Sequence, residues 1–156
     1  MTKAKTTRAG RITGKPGSAL DSAGKWAKSH ALIAYWLPVL LYAAGIFTLS
    51  SLSKPPAPPG AAEIPDFAEA VHFIEYAFFG FLLFTAYNST ASEPIKGRAF
   101  ALALATAFIY AATDEYHQSF VPGRQCTLGD FTVDCAGATA AMIAVLLFRL
   151  RREYKP

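Results

Sequence analysis

Apolar and polar residues alternate along this chain in long blocks rather than in short periods. Ala31 to Leu52 carries no charge. A bilayer core takes about 20 such residues as a helix, so this block predicts a first transmembrane helix. Pro38 is expected to kink it, which neighbouring helices tolerate. The proline-rich run from Lys54 to Pro65 predicts a stiff, extended connection. Asp66 to Tyr87 predicts a second span of unusual make-up. Its first half holds Asp66, Glu69, His72, Glu75 and Tyr76, and it is apolar from Ala77 to Ala86. Asn88 to Arg98 is a short polar link. Ala99 to Thr113 predicts a third span, long enough only when Asp114-Glu115-Tyr116-His117-Gln118 is added. Leu128 to Phe148 predicts a fourth, with Asp130 and Asp134 near its start. Its Gly137, Ala138, Ala140 and Ala141 suit close helix contact. The expected fold is all-α: an integral membrane bundle of four transmembrane helices over residues 31–150.

Charge refines this picture. Residues 1–30 carry Lys3, Lys5, Arg8, Arg11, Lys15, Lys25 and Lys28 without apolar periodicity, which predicts a disordered cytoplasmic tail. A cleaved signal peptide is disfavoured, because the apolar run after the tail exceeds the usual h-region of about 7–15 residues and no A-x-A site follows it. With the N-terminus inside, only Lys54 and Arg124 of the 15 Lys and Arg residues fall outside. Lysine and arginine concentrate in cytoplasmic loops, so N-in, C-in is the expected orientation, in a bacterial cytoplasmic membrane crossed several times. The net charge of +4 then reflects orientation and attraction to anionic lipid. It implies no nucleic-acid partner; the expected partners are membrane lipids. Two cysteines, Cys126 and Cys135, form neither a disulfide framework nor a zinc motif.

The predicted topology brings three polar sets to the outer end of the bundle: Asp66, Glu69, His72, Glu75 and Tyr76; Asp114 to Gln118; and Asp130 with Asp134. At 100° per residue Asp66, Glu69, His72 and Tyr76 share a stripe, with Glu75 to one side. Asp114, His117 and Gln118 share a face. Pro122-Gly123 suits a type II turn, which would hold Arg124 back over the cluster. Charges inside spans are costly and normally face protein or water. Three chemistries fit such a set. A carboxylate with His72 or His117 can act as general acid and base. Asp, Glu and His can bind a divalent cation; Glu69-x-x-His72 alone is too weak to assign a metal. Arg124 can grip a phosphate or carboxylate. Against all three stands a plain structural role, in which polar groups knit helices together at about 0.6–2 kcal/mol each. An ion or proton pathway is disfavoured, because the inner halves of spans two and four are apolar.

Asp114-Glu115-x-x-Gln118-x-Phe120-x-Pro122-Gly123-Arg124, followed by Asp130-x-x-x-Asp134-x-x-Gly137, resembles the signature of VanZ-like membrane proteins. His72-Phe73-x-x-Tyr76 before Gly80-Phe81-Leu82-Leu83 resembles their second-span motif, and Ser50-Ser51 adds to it. The resemblance covers about residues 31–148. It implies a small multi-span protein of the bacterial envelope, in a family linked to resistance to the glycopeptide teicoplanin. Two positions depart from the family's pattern: Glu69 stands where a lysine is usual, and Asp134 where an asparagine is usual. Both make this pocket more acidic.

The expected function is that of an envelope factor whose outward-facing pocket binds or modifies a lipid-linked or surface glycan component, with a lipid-linked envelope precursor as the candidate partner. Asp114, Glu115, His117 and His72 are the candidate proton-handling residues. Gln118, Arg124, Glu69, Tyr76, Asp130 and Asp134 are the candidate ligand-binding residues. The alternative is a non-catalytic bundle that binds a partner. No cofactor is indicated.

Overall fold

The computed structural model describes residues 29–153 apart from 93 and 94. The basic tail over 1–30 thus lies outside the described residues except for its last two. Four α-helices form the domain: α1 (Ala31–Ser50), α2 (Phe67–Thr90), α3 (Ala99–Gln118) and α4 (Leu128–Glu153). Single 3-10 turns cover Ala61–Glu63 and Lys96–Arg98. There is no strand among the described residues, so the all-α expectation holds. Helices α1 and α2, and α4 over Leu128–Arg152, are long and apolar enough to cross a membrane. Helix α3 falls outside that set; its last turns carry Asp114, Glu115, His117 and Gln118, the polar run that the sequence joined to it to reach spanning length.

Helix α2 is central and packs against each of the other three. Its closest neighbour is α4, and small residues explain why. A methyl group on Gly137 would overlap the carbonyl oxygen of Phe73, and one on Gly80 would come 2.7 Å from the carbonyl oxygen of Ala138. With no side chain between them, the two backbones touch. In lipid, where no hydrophobic force drives helices together, such contact supplies the dispersion energy that does. Of the small residues read from the sequence of α4, Gly137 and Ala138 serve this packing, whereas Ala140 is exposed.

Helix α3 docks by a similar device. Ala99, Ala103, Ala107 and Ala111 recur every four residues and are all buried. Residues four apart lie one above another on a helix, so these alanines form a smooth stripe, and Asp114, Glu115 and Gln118 continue the buried face. Helix α1 is attached differently. Only Val39, Ile46 and Ser50 on it are buried, and long polar side chains bridge the gap. Tyr42 donates to the carbonyl of Glu75 at 3.1 Å, Tyr110 to the carbonyl of Ala43 at 2.6 Å, and Trp36 Nε1 to Thr90 Oγ1 at 2.9 Å. Trp36, near the start of α1, meets Thr90 at the end of α2. Ser50, at the end of α1, meets Asp114 near the end of α3. So α1 and α2 run antiparallel, and the polar ends of the helices gather at one end of the bundle.

Candidate functional site

Two buried hydrogen-bonded centres and two clefts make up that polar end. The first centre is Asp114, 4% exposed. Its Oδ2 accepts from Ser50 Oγ at 2.9 Å, Gln118 Nε2 at 3.1 Å and, more weakly, Tyr76 OH at 3.4 Å. Ser50 Oγ also lies 2.9 Å from the carbonyl of Ile46, so its single proton serves one acceptor at a time. Asp114 thereby joins α1, α2 and its own helix.

The second centre is His72 with Asp134. His72 Nδ1 and Asp134 Oδ1 are 3.0 Å apart, a contact that is an ion pair only when the imidazole is protonated. Asp134 is fully buried. A carboxylate on one imidazole nitrogen fixes the ring's orientation and tautomer and leaves the other nitrogen for chemistry. Here Nδ1 is occupied, and the ring lines a cleft. The histidine therefore pairs with α4, not with Asp114 or Glu115.

Glu115 is 3% exposed and turned elsewhere. Its Oε2 accepts the Thr127 N–H at 2.9 Å, and Thr127 Oγ1 in turn accepts the Asp130 N–H at 2.9 Å. Thr127 is thus the N-cap of α4, satisfying a helix-end donor that would otherwise be orphaned, and Glu115 holds the cap in place. Thr127-x-x-Asp130 fits the helix-start pattern of a Ser or Thr three residues before an acidic residue, a signal for the cap that was present in the sequence. His117 does not join Asp114 and Gln118. Its ring packs on Phe47 at 4.3 Å, and its Nδ1 is without a partner. One oxygen each of Asp114, Glu115 and Asp134 is likewise buried and unpartnered. Among the described residues, no group of three or more His, Cys, Asp and Glu side chains has the geometry to hold a metal ion.

Arg124 arrives by the predicted turn. Arg124 N donates to the carbonyl of Val121 at 3.1 Å, and Gly123 has φ +84°, as the third position of a type II turn requires. Its guanidinium reaches the end of α1, where Nε donates to the carbonyl of Leu52 at 3.1 Å and Nη2 to that of Leu49 at 3.3 Å. A cation there caps orphaned carbonyls and meets the negative end of the helix dipole. No carboxylate pairs with it among the described residues. Arginine has five N–H donors, so the fork keeps donors to spare.

Arg124 and Gln118 form the wall between two clefts. One, of about 240 Å³, is mostly apolar, with His72 and Glu75 among its lining. The other, of about 410 Å³, is polar and takes in Glu69 and Asp130. Of the ten candidate residues named from the sequence, His72, Gln118, Arg124, Glu69 and Asp130 thus face clefts, while Asp114, Tyr76 and Asp134 lie beneath them. Glu115 borders a third groove with Cys126 and Thr127, and His117 stands apart. Sequence reasoning left out Glu75, Ser50 and Thr127 as site residues. The sequence marked Glu75 as part of the polar set of the second span and Ser50 as part of the family motif, and Thr127 carries a cap pattern, but none of the three was singled out for the site.

Apolar helices and a polar cluster gathered at one end of the bundle define an α-helical membrane protein with a candidate ligand site at that end. The family model described as VanZ/LLP1 matches residues 21–149. The chain belongs to this family, and the resemblance read from its motifs holds. No curated protein and no solved structure gives a match.

Proposed function

We propose that this protein is a cell-envelope factor that binds the anionic group of a lipid-linked or surface glycan component in the clefts beside Arg124, and so alters susceptibility to teicoplanin. In this reading the chain crosses the cytoplasmic membrane four times, N-in and C-in, with α3 completing the bundle and the clefts opening outward. The observation that carries it is Arg124. Its guanidinium donates to two backbone carbonyls, is unpaired with any carboxylate among the described residues, and borders both clefts. An arginine so pre-organised suits phosphate or carboxylate recognition. Gln118 orients the ligand, and His72, aligned by Asp134, is the candidate proton acceptor.

One observation favours the alternative of a non-catalytic bundle for part of the cluster. Asp114 and Glu115 spend their hydrogen bonds on other elements of the fold. We assign these two to assembly and leave His72, Gln118 and Arg124 to the ligand.

The test is expression in a teicoplanin-sensitive bacterium, with membrane accumulation measured alongside. The native chain is expected to raise the inhibitory concentration of teicoplanin, and Arg124→Gln to abolish the increase while accumulating normally. A native chain without effect, or an Arg124→Gln chain as effective as the native one, overturns the proposal.

A further inference from the structure

The two clefts that share Arg124 and Gln118 differ in chemistry, and the difference specifies a ligand. The smaller cleft is walled mainly by Leu49, Pro55, Pro56, Phe67 and Val71, with His72 and Glu75 on one side, and its apolar part suits a hydrocarbon chain. The larger is polar, and its charged members besides Arg124 are Glu69 and Asp130. Neither carboxylate has a cationic partner among the described residues. Arg124 is the sole Lys or Arg lining either cleft, and it stands at the boundary. Crossing from one cleft to the other, a ligand therefore meets a mostly apolar wall that also holds His72 and Glu75, then the Arg124 guanidinium beside a buried amide, then Glu69 and Asp130. A simple anionic headgroup would find Glu69 and Asp130 repulsive. A headgroup with an ammonium beyond its phosphate would find both ends matched.

Resting on the anion-binding reading of Arg124, we propose that the two clefts are one site for a zwitterionic amphiphile: hydrocarbon in the smaller cleft, phosphate at Arg124 and Gln118, and a primary ammonium against Glu69 and Asp130. The smaller cleft, about 240 Å³, lies just below and the larger, about 410 Å³, within the about 300–1,000 Å³ typical of ligand pockets, which suits one hydrocarbon chain and a small headgroup. The polarity order explains why an acidic cleft adjoins an anion-gripping arginine. Charge complementarity of this kind acts as selectivity, because the wrong headgroup is repelled as well as unmatched.

The experiment measures binding of short-chain phosphatidylethanolamine, short-chain phosphatidylglycerol and soluble phosphoethanolamine to the purified full-length chain in detergent. The native chain is expected to prefer the ethanolamine lipid over the glycerol lipid by about ten-fold or more, the size of one charge-assisted hydrogen bond. Glu69→Gln with Asp130→Asn is expected to erase that preference while keeping the affinity for phosphatidylglycerol or improving it. Both replacements are isosteric and on accessible positions, so folding is preserved. Soluble phosphoethanolamine is expected to bind at least about ten-fold more weakly than the lipid, since it leaves the apolar cleft unfilled. Equal binding of the two lipids by the native chain, or a preference that survives the double substitution, overturns the ammonium subsite. Phosphoethanolamine binding as tightly as the lipid overturns the amphiphile. Arg124→Gln separates this proposal from the one beneath it. If that variant binds both lipids as the native chain does, the anion site itself falls. If it weakens both but the native chain shows no headgroup preference, only the zwitterion falls.

Discussion

Asp114 and Arg124 sit close in sequence and act in opposite ways. Asp114 Oδ2 gathers donors from α1, α2 and α3; removing it takes the acceptor from Gln118 Nε2 and Tyr76 OH, while Ser50 keeps the carbonyl of Ile46. An unsatisfied buried group costs about 1–3 kcal/mol. Asp114→Ala is therefore expected to destabilise the bundle by about 2 kcal/mol or more, read as a fall in thermal melting temperature in detergent. Asp114→Asn, which keeps an acceptor oxygen, should lose less. Equal melting of Asp114→Ala and the native chain would sink this role. Arg124, by contrast, has side-chain hydrogen bonds among the described residues to main-chain carbonyls alone and lines both clefts, so its loss is expected to act mainly on binding. Both residues were visible in the sequence as parts of one dense polar run. Which was a strut and which faced a cleft depended on the rotation of α3 and the path of the turn after it. The same rotation sets His117 against Phe47, although helical spacing alone grouped it with Asp114 and Gln118.

At the scale of elements, the α2–α4 seam is the most exacting contact. Gly137→Leu drives a side chain into the Phe73 carbonyl region, and a neighbouring backbone cannot move aside as a flexible side chain can. Overpacking of this kind costs about 1–3 kcal/mol, occasionally more; the expected outcome is loss of most folded protein from the membrane fraction. Gly45 is the internal contrast. Nothing lies within 4 Å of a methyl group placed there, so Gly45→Ala should change stability by no more than about 1 kcal/mol, the helix-propensity difference. If both substitutions melt alike, close backbone contact is not what holds α2 to α4. The glycines and alanines of α4 announced this seam in advance. The alanine stripe of α3 was just as legible by its four-residue spacing but passes for ordinary apolar filling until its partner is known. The bonds from Tyr42 and Tyr110 to carbonyls had no local signal, because their acceptors are backbone groups distant in sequence.

For the whole molecule, thiol labelling reads the orientation. With Cys135→Ala as background, the native Cys126, which is exposed, and Gly60→Cys are expected to react with a membrane-impermeant thiol reagent added from outside. Ser92→Cys should react only after permeabilisation. Labelling at 92 but not at 126 reverses the orientation and turns the clefts to the cytoplasm. Taken alone, the sequence determined that the chain is helical and membrane-embedded, where each helix runs, and which family it belongs to. These follow from local quantities: lengths of uncharged sequence, glycine and proline placement, and a contiguous motif. Only the tertiary structure decided how the polar residues divide. It paired His72 with Asp134, gave Asp114 and Glu115 to neighbouring elements, and set Arg124 between an apolar and an acidic cleft. Those outcomes depend on helix rotation and depth, which follow from contacts between helices, the backbone approach of α2 and α4 at Gly80 and Gly137 among them, and not from the local pattern around each polar residue.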